Sequence, residues 1–203
     1  MKSIFAATFA LAGLAALPFV VAGPNAPAPS AAARHTTAYK VDSGHSSVIF
    51  CVKHMGAANF YGRFNEIKGE FGIDDHDPAA STFSFTVNTD SIDTNGEGRD
   101  KHLKSEEFFN TGKYPEMTFT SKSVKQIDAK TWEVAGELKL LAETKPLTVK
   151  FEKTGEGKGR GGAELIGIET TFTVKRSEWG MAALVGPLGD DVKITVAIEA
   201  AKQ

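Results

Sequence analysis

A single cysteine, Cys51, is all that the 203 residues contain. That excludes an intramolecular disulfide framework and any all-cysteine zinc site. Charge of either sign is not in excess: Lys+Arg is 23, Asp+Glu is 25, and the formal net charge is −2. Nothing in that balance advertises a nucleic-acid partner or an acidic solvating tail. Tyrosine and tryptophan are scarce, 3 and 2, against 14 phenylalanines. Phenylalanine carries no polar handle, so this chain lines something dry. With 41% hydrophobic and 24% charged residues the composition fits one globular domain and excludes a disordered or collagen-like chain.

The N-terminus is set apart. Residues 1–22 begin with Lys2, continue as an apolar run broken by Pro18, and end in Val20-Val21-Ala22. This pattern reads as a secretory signal peptide, so no stable membrane span is expected after its cleavage. Residues 23–37, rich in Pro and Ala without apolar periodicity, read as a disordered lead. The folded domain is expected over 38–203. Export implies an oxidising compartment, yet Cys51 has no partner in the chain. Its setting, Val48-Ile49-Phe50-Cys51-Val52, predicts burial.

From residue 38 the dominant period is two. Apolar residues alternate at 192, 194, 196 and 198, at 166, 168, 172 and 174, and at 83, 85 and 87. Leu147, Val149 and Phe151 repeat the pattern, as do Val134, Leu138 and Leu140. Each reads as a half-buried antiparallel strand. Further strands are predicted at 38–42, 46–53, 60–73 and 116–127. Turn chemistry separates them at 74–78, 95–96 and 155–162. One helix is predicted over 98–108, with a helical turn over 54–59. Without long helices between strands a parallel sheet is excluded. Eight or nine antiparallel strands, some of them long, point to a closed barrel over a sandwich.

Catalytic motifs fail on inspection. Gly44-His45-Ser46-Ser47 lacks the second glycine of a nucleophile elbow. The stretch from Ser91 begins like a calcium loop but has His102 at its twelfth position. The Gly155–Gly162 run lacks Gly-Lys-Ser/Thr and reads as a hairpin tip. His45, His54 and His102 with Asp100 could bind zinc only if the fold gathered them, because no two share one element at ligand spacing. No metal or cofactor is therefore expected. A mixed cluster remains around the predicted helix: Arg99, Asp100, His102, then Phe108-Phe109 and Tyr114-Pro115. Its basic residues could meet an anionic head group while the Phe pair covers a cavity mouth.

The motifs in order carry a resemblance. They are Tyr39-Lys40-Val41-Asp42 with His45-Ser46, Phe50, His54 and Gly62-x-Phe64. Ser91-Ile92-x-Thr94, Arg99-Asp100-x-His102-Leu103-Lys104-Ser105 and Phe108-Phe109 follow, then Tyr114-Pro115 and Phe119. Arg176-Ser177-Glu178-Trp179-Gly180-Met181 and Gly189-Asp190-Asp191-Val192 close the series. Over about residues 38–200 the chain resembles the YceI-like family of exported polyisoprenoid-binding proteins. The resemblance implies an all-β, extended eight-stranded antiparallel lipocalin-like barrel around an apolar tunnel. It also implies an isoprenoid or similar ligand, a periplasmic location, and a homodimer in several members. One departure is Ala142, where the family usually has a second glycine, which puts the local turn geometry in question.

The expected tunnel lining is Val48, Phe50, Phe64, Phe71, Phe83, Phe85, Phe119, Leu138, Val149, Phe151, Ile168, Phe172, Ile194 and Val196. A one-residue slip of register would invert that set. Head-group candidates are His45, Arg99, Asp100, His102 and Arg176. The expected function is non-enzymatic binding, storage or transport of an isoprenoid or quinone-like lipid. The competing readings are an envelope interaction protein with a side-chain-filled barrel, and an enzyme using His45, His102 and Asp100 as acid and base.

Overall fold

The computed structural model describes residues 36–203. The expected signal peptide and nearly all of the lead lie outside the described residues. Eleven strands and one short helix follow: β1 (Thr37–Val41), β2 (Ser47–His54), β3 (Ala58–Phe64), β4 (Ile67–Ile73), β5 (Thr82–Asn88), β6 (Ile92–Asp93), α1 (Glu97–Leu103), β7 (Glu116–Asp128), β8 (Thr131–Leu140), β9 (Glu143–Lys158), β10 (Glu164–Lys175) and β11 (Leu188–Lys202).

Three pairs of these strands are single strands broken by a kink. β1 runs on into β2, β3 into β4 and β5 into β6, so the wall is eight strands thick around its circumference. Every pairing is antiparallel, and the β1–β11 ladder closes the order β1-β4-β5-β7-β8-β9-β10-β11 into a barrel. The first kink shows how the sequence makes one. Asp42 accepts from the Gly44 amide at 2.9 Å and holds His45 Nδ1 at 2.9 Å, while Ser46 Oγ donates to Asp42 O at 2.7 Å. These local bonds compete with the ladder and turn the strand out of it.

The register places one apolar parity inward. Val48 faces Phe64 on one side and Val196 on the other, and Phe85 faces Phe119. The lower half, nearest both ends of the described chain, is solid. Tyr39, Phe71, Phe83 and Phe151 form a continuous stack from four strands, with ring centroids 5.2, 5.7 and 5.1 Å apart. Trp132, Val134, Ile166, Ile168 and Ile198 fill the space around it.

The upper half is less closed. The β9–β10 ladder ends at Glu169↔Glu152, so 143–151 and 170–175 share no rungs. The strands fork there. At the same end the connections are long: 94–115 with α1, and 176–187. Thr89 ties the first to the wall, donating from Oγ1 to Tyr114 O at 2.7 Å and from its amide to Pro115 O at 2.9 Å.

Several expectations change. The helix is shorter than predicted, Glu97–Leu103, because Lys104 caps it and a run of turns takes the chain on to 115. The 54–59 stretch is a hairpin turn, with Met55 and Gly56 at φ 50 and 66, not a helical one. β9 extends through Gly155 and Gly157 to Lys158, leaving a narrower tip. At the β8–β9 hairpin the positive φ of 55 falls on Leu141, so Ala142 is not asked to adopt it. Cys51 is half-buried on the outer parity opposite Tyr61, because Val48 and Phe50 take the inward positions of β2.

Candidate functional site

The fork and the long connections leave a cavity of about 130 Å³ in the upper half of the barrel. Phe151, the last ring of the stack, lies at its floor with Phe85 and Thr170, and Met181 and Arg176 lie at its top. Of the expected lining, Val48, Phe50, Phe64, Phe85, Phe119, Leu138, Val149, Phe151, Phe172, Ile194 and Val196 are on its wall. Phe71, Phe83 and Ile168 also point inward but lie one layer deeper, in the packed core, so the structure does not put them against the cavity. Ile67, Val87, Phe109, Met117, Thr118, Leu140, Leu147, Thr170, Val174, Arg176, Met181 and Val192 complete the wall. Most of these continue a parity already legible in the sequence. Phe109 does not: it arrives from the 104–115 segment and meets Phe64 edge-on at 5.3 Å.

Two glycines shape the space. Phe50 lies flat over Gly62, its cross-strand neighbour; a Cβ there would stand 2.3 Å from Phe50 Cζ. Phe119 lies over Gly136, diagonal to it across the β7–β8 pair, where a Cβ would stand 2.7 Å from its Cζ. The rings rest in the wall instead of projecting across the lumen.

The five head-group candidates do not form a cluster, and four of them do not reach the cavity. His45 is exposed at the β1–β2 kink, paired with Asp42 and 3.8 Å from Glu199. Hydrogen bonding to Asp42 raises the His45 pKa and lowers that of Asp42. Arg99 donates from Nε to Thr94 Oγ1 and through its guanidinium to Thr94 O, both at 2.7 Å, and lies 4.5 Å over the Phe60 ring. Asp100 accepts from the Thr94 amide at 2.9 Å and from its hydroxyl. These two residues build the entry to α1. His102 bonds Glu107 at 2.6 Å and meets Phe108 edge-on. Each is satisfied locally, which is why proximity in sequence did not become proximity to the cavity.

Arg176 alone of the five is on the cavity wall, and it is 4% exposed. Its guanidinium donates to the carbonyls of Gly189 (2.9 Å), Met181 (2.8 Å), Ala183 (2.7 Å) and Leu188 (3.3 Å). Carbonyl dipoles, not a carboxylate, solvate the charge. Burial lowers its pKa, and the nearby Asp190 charge opposes that. Asp190 in turn accepts from the Ser177 amide at 2.9 Å and hydroxyl at 2.8 Å, which lowers its own pKa. The sequence missed a second cation at this end. Lys145 has the inward parity of Leu147, and its Nζ is 5.8 Å from the ring of buried Trp179.

The zinc grouping of His45, His54, His102 and Asp100 is not assembled. Asp42, His45 and Glu199 do bring ligand-type atoms within 4.8 Å of one another, on the exposed outer surface. Their hydrogen bonds to the kink already account for them. The cavity wall itself has no His, Cys or carboxylate; its polar residues are Thr118, Thr170 and Arg176.

A closed antiparallel barrel with an apolar cavity in one half belongs to the class of β-barrels built to enclose a small molecule. The particular family is plain from the comparisons. Residues 39–200 match the YceI-like domain, and the chain belongs to that family. It is 37% identical over 167 residues to protein YceI of Escherichia coli O157:H7, covering 81% of this chain and 87% of that one. Among solved structures it is similar to the Campylobacter jejuni YceI protein, with a TM-score of 0.66 and 30% identity over 74% of this chain and 90% of that one. A polyisoprenoid binding domain from Saccharophagus degradans shares the fold, with a TM-score of 0.61 and 14% identity over 81% of this chain and 98% of that one.

Proposed function

We propose that this barrel binds a polyisoprenoid or a related amphiphilic lipid without chemically transforming it. The carrying observation is the cavity wall, which apart from Thr118, Thr170 and Arg176 is built of hydrocarbon side chains from Phe85 and Phe151 to Met181. Each buried methylene is worth about 0.8 kcal/mol, before the costs of ordering chain and side chains are subtracted. A prenyl chain is therefore held by contact area alone. The Saccharophagus relative, a polyisoprenoid binding domain, supports the same reading.

The empty cavity is smaller than a long prenyl chain requires. Met117 and Met181 on the wall are unbranched and adaptable, and Phe109 comes from a connecting segment instead of a strand, so these are the groups that move aside. With the signal-like segment at residues 1–22, the reading extends to an exported, periplasmic carrier or store, with quinones and their precursors among the cargoes. Self-association into a homodimer belongs to the same proposal.

The test is mass spectrometry of an organic extract of the purified protein, with native mass for stoichiometry. An isoprenoid or quinone at about one per chain is expected, and the native mass reads monomer or dimer. A protein that carries no lipid and takes up no added prenyl chain overturns the reading. The solid lower half favours the alternative in that event: a filled barrel acting through its outer surface.

A further inference from the structure

The inward row of β10 runs Ile168, Thr170, Phe172, Val174. Three of these are hydrocarbon; Thr170 brings a hydroxyl into the row. It is 3% exposed and lies on the cavity wall. Its Oγ1 is buried with no hydrogen-bond partner. Two other buried side-chain atoms among the described residues lack partners, Ser105 Oγ and Trp179 Nε1, but neither residue is on the cavity wall. Thr118, which touches the cavity, takes the outward parity next to inward Phe119. Valine has the shape of threonine without the penalty of an unsatisfied buried hydroxyl, so packing alone does not explain this residue.

The location is informative. Thr170 is the first residue of β10 past the last rung shared with β9, at the base of the fork. Phe85 and Phe151 form the floor with it. Arg176 lies six residues further along the same chain, ~20 Å at the rise of an extended strand. A charged head group at the floor would be a buried charge with no cation in reach. A neutral oxygen there finds a hydroxyl that can donate or accept.

We infer that Thr170 is the deep polar contact of the ligand: it hydrogen-bonds a neutral oxygen, alcohol or carbonyl, at the end of an amphiphile that enters oxygen first. The hydrocarbon chain then runs up the wall toward Arg176. This rests on the reading of the cavity as a lipid site and narrows it from hydrocarbon chains in general to oxygen-terminated ones.

The experiment compares delipidated wild-type protein with Thr170→Val and Thr170→Ser. Three probes are used: farnesol, the ketone geranylacetone, and the hydrocarbon farnesene. Thr170→Val is expected to bind farnesol and geranylacetone about tenfold more weakly, at the scale of one hydrogen bond. Farnesene affinity stays unchanged and Thr170→Ser restores the alcohol. The carbonyl stretch of bound geranylacetone shifts to lower frequency in wild type and Thr170→Ser but not in Thr170→Val. The Val variant melts at or above the wild-type temperature. Equal binding of all three probes by wild type and Thr170→Val overturns the inference while leaving the lipid reading in place. Failure of wild type to bind any of the three overturns both.

Discussion

The pairing of Phe50 with Gly62 shows how one missing Cβ sets the lumen. Gly62→Ala would place a methyl 2.3 Å from the Phe50 ring and drive that ring inward. We expect a loss of about 1–3 kcal/mol in urea unfolding, the usual cost of overpacking, and weaker binding of long chains. Phe50→Leu in the same background should recover part of that loss, a non-additivity that a double-mutant cycle reads directly. Met55 makes the opposite case. It holds φ 50 with 65% of its surface exposed, a conformation that suits Asn or Gly. Met55→Asn should therefore stabilise the fold by about 0.5–1 kcal/mol, seen as a higher urea midpoint at constant slope. Much of the cavity wall was legible in the sequence because period-two alternation fixes parity: eleven of the fourteen expected lining residues stand on it, and Phe71, Phe83 and Ile168 lie one layer deeper. Thr170 escaped because its row was read for apolar residues alone. Arg99, Asp100 and His102 stand away from the cavity for another reason: they are close in sequence and polar, but Thr94 and Glu107 satisfy them where they stand.

At the scale of elements, the kinks and caps do what the strands cannot. The 176–179 turn is held by Asp190, whose carboxylate takes both the amide and the hydroxyl of Ser177. Because its folded pKa is lowered, its contribution is complete above the ordinary aspartate value of ~3.9. It is lost as pH falls through the lower folded value. Thermal melts between pH 5 and 2 should show this loss, and Asp190→Asn should flatten it. His45 acts with the other sign. Its raised pKa gives stability below the ordinary histidine range that fades as pH rises through the folded value. His45→Gln should remove that slope near neutrality. Strand identities were readable, and so was the break between β1 and β2, but the other two breaks were not. The chain reads continuously apolar–polar through 60–73 and 82–92, while the breaks come from hydrogen bonds that join Asn88 and Ser91 to the 65–66 corner, distant in sequence. The 104–115 segment was similarly opaque, since its form depends on what it covers.

The whole molecule is two halves with different work. The lower half is closed by ladders interrupted only at bulges and by an aromatic stack; the upper half holds the cavity and the fork. Hydrogen exchange should separate them. Amides on the facing edges of 143–151 and 170–175 should exchange much faster than those of Glu164–Glu169, whose rungs to β9 are intact. Uniform protection along β10 would contradict the fork.

The fork also bears on a mismatch between the small empty space and the long chains it is proposed to take. A barrel laced by rungs all the way round has a fixed girth, because widening it means breaking a column of hydrogen bonds at once. This wall has a seam. Between the upper parts of β9 and β10 the edges share no rungs, and Leu147 on one and Val174 on the other both line the cavity. The upper circumference can therefore grow by sliding apart two apolar margins, and a lipid that wedges between them restores the contact area they give up. The vessel is sized by its contents.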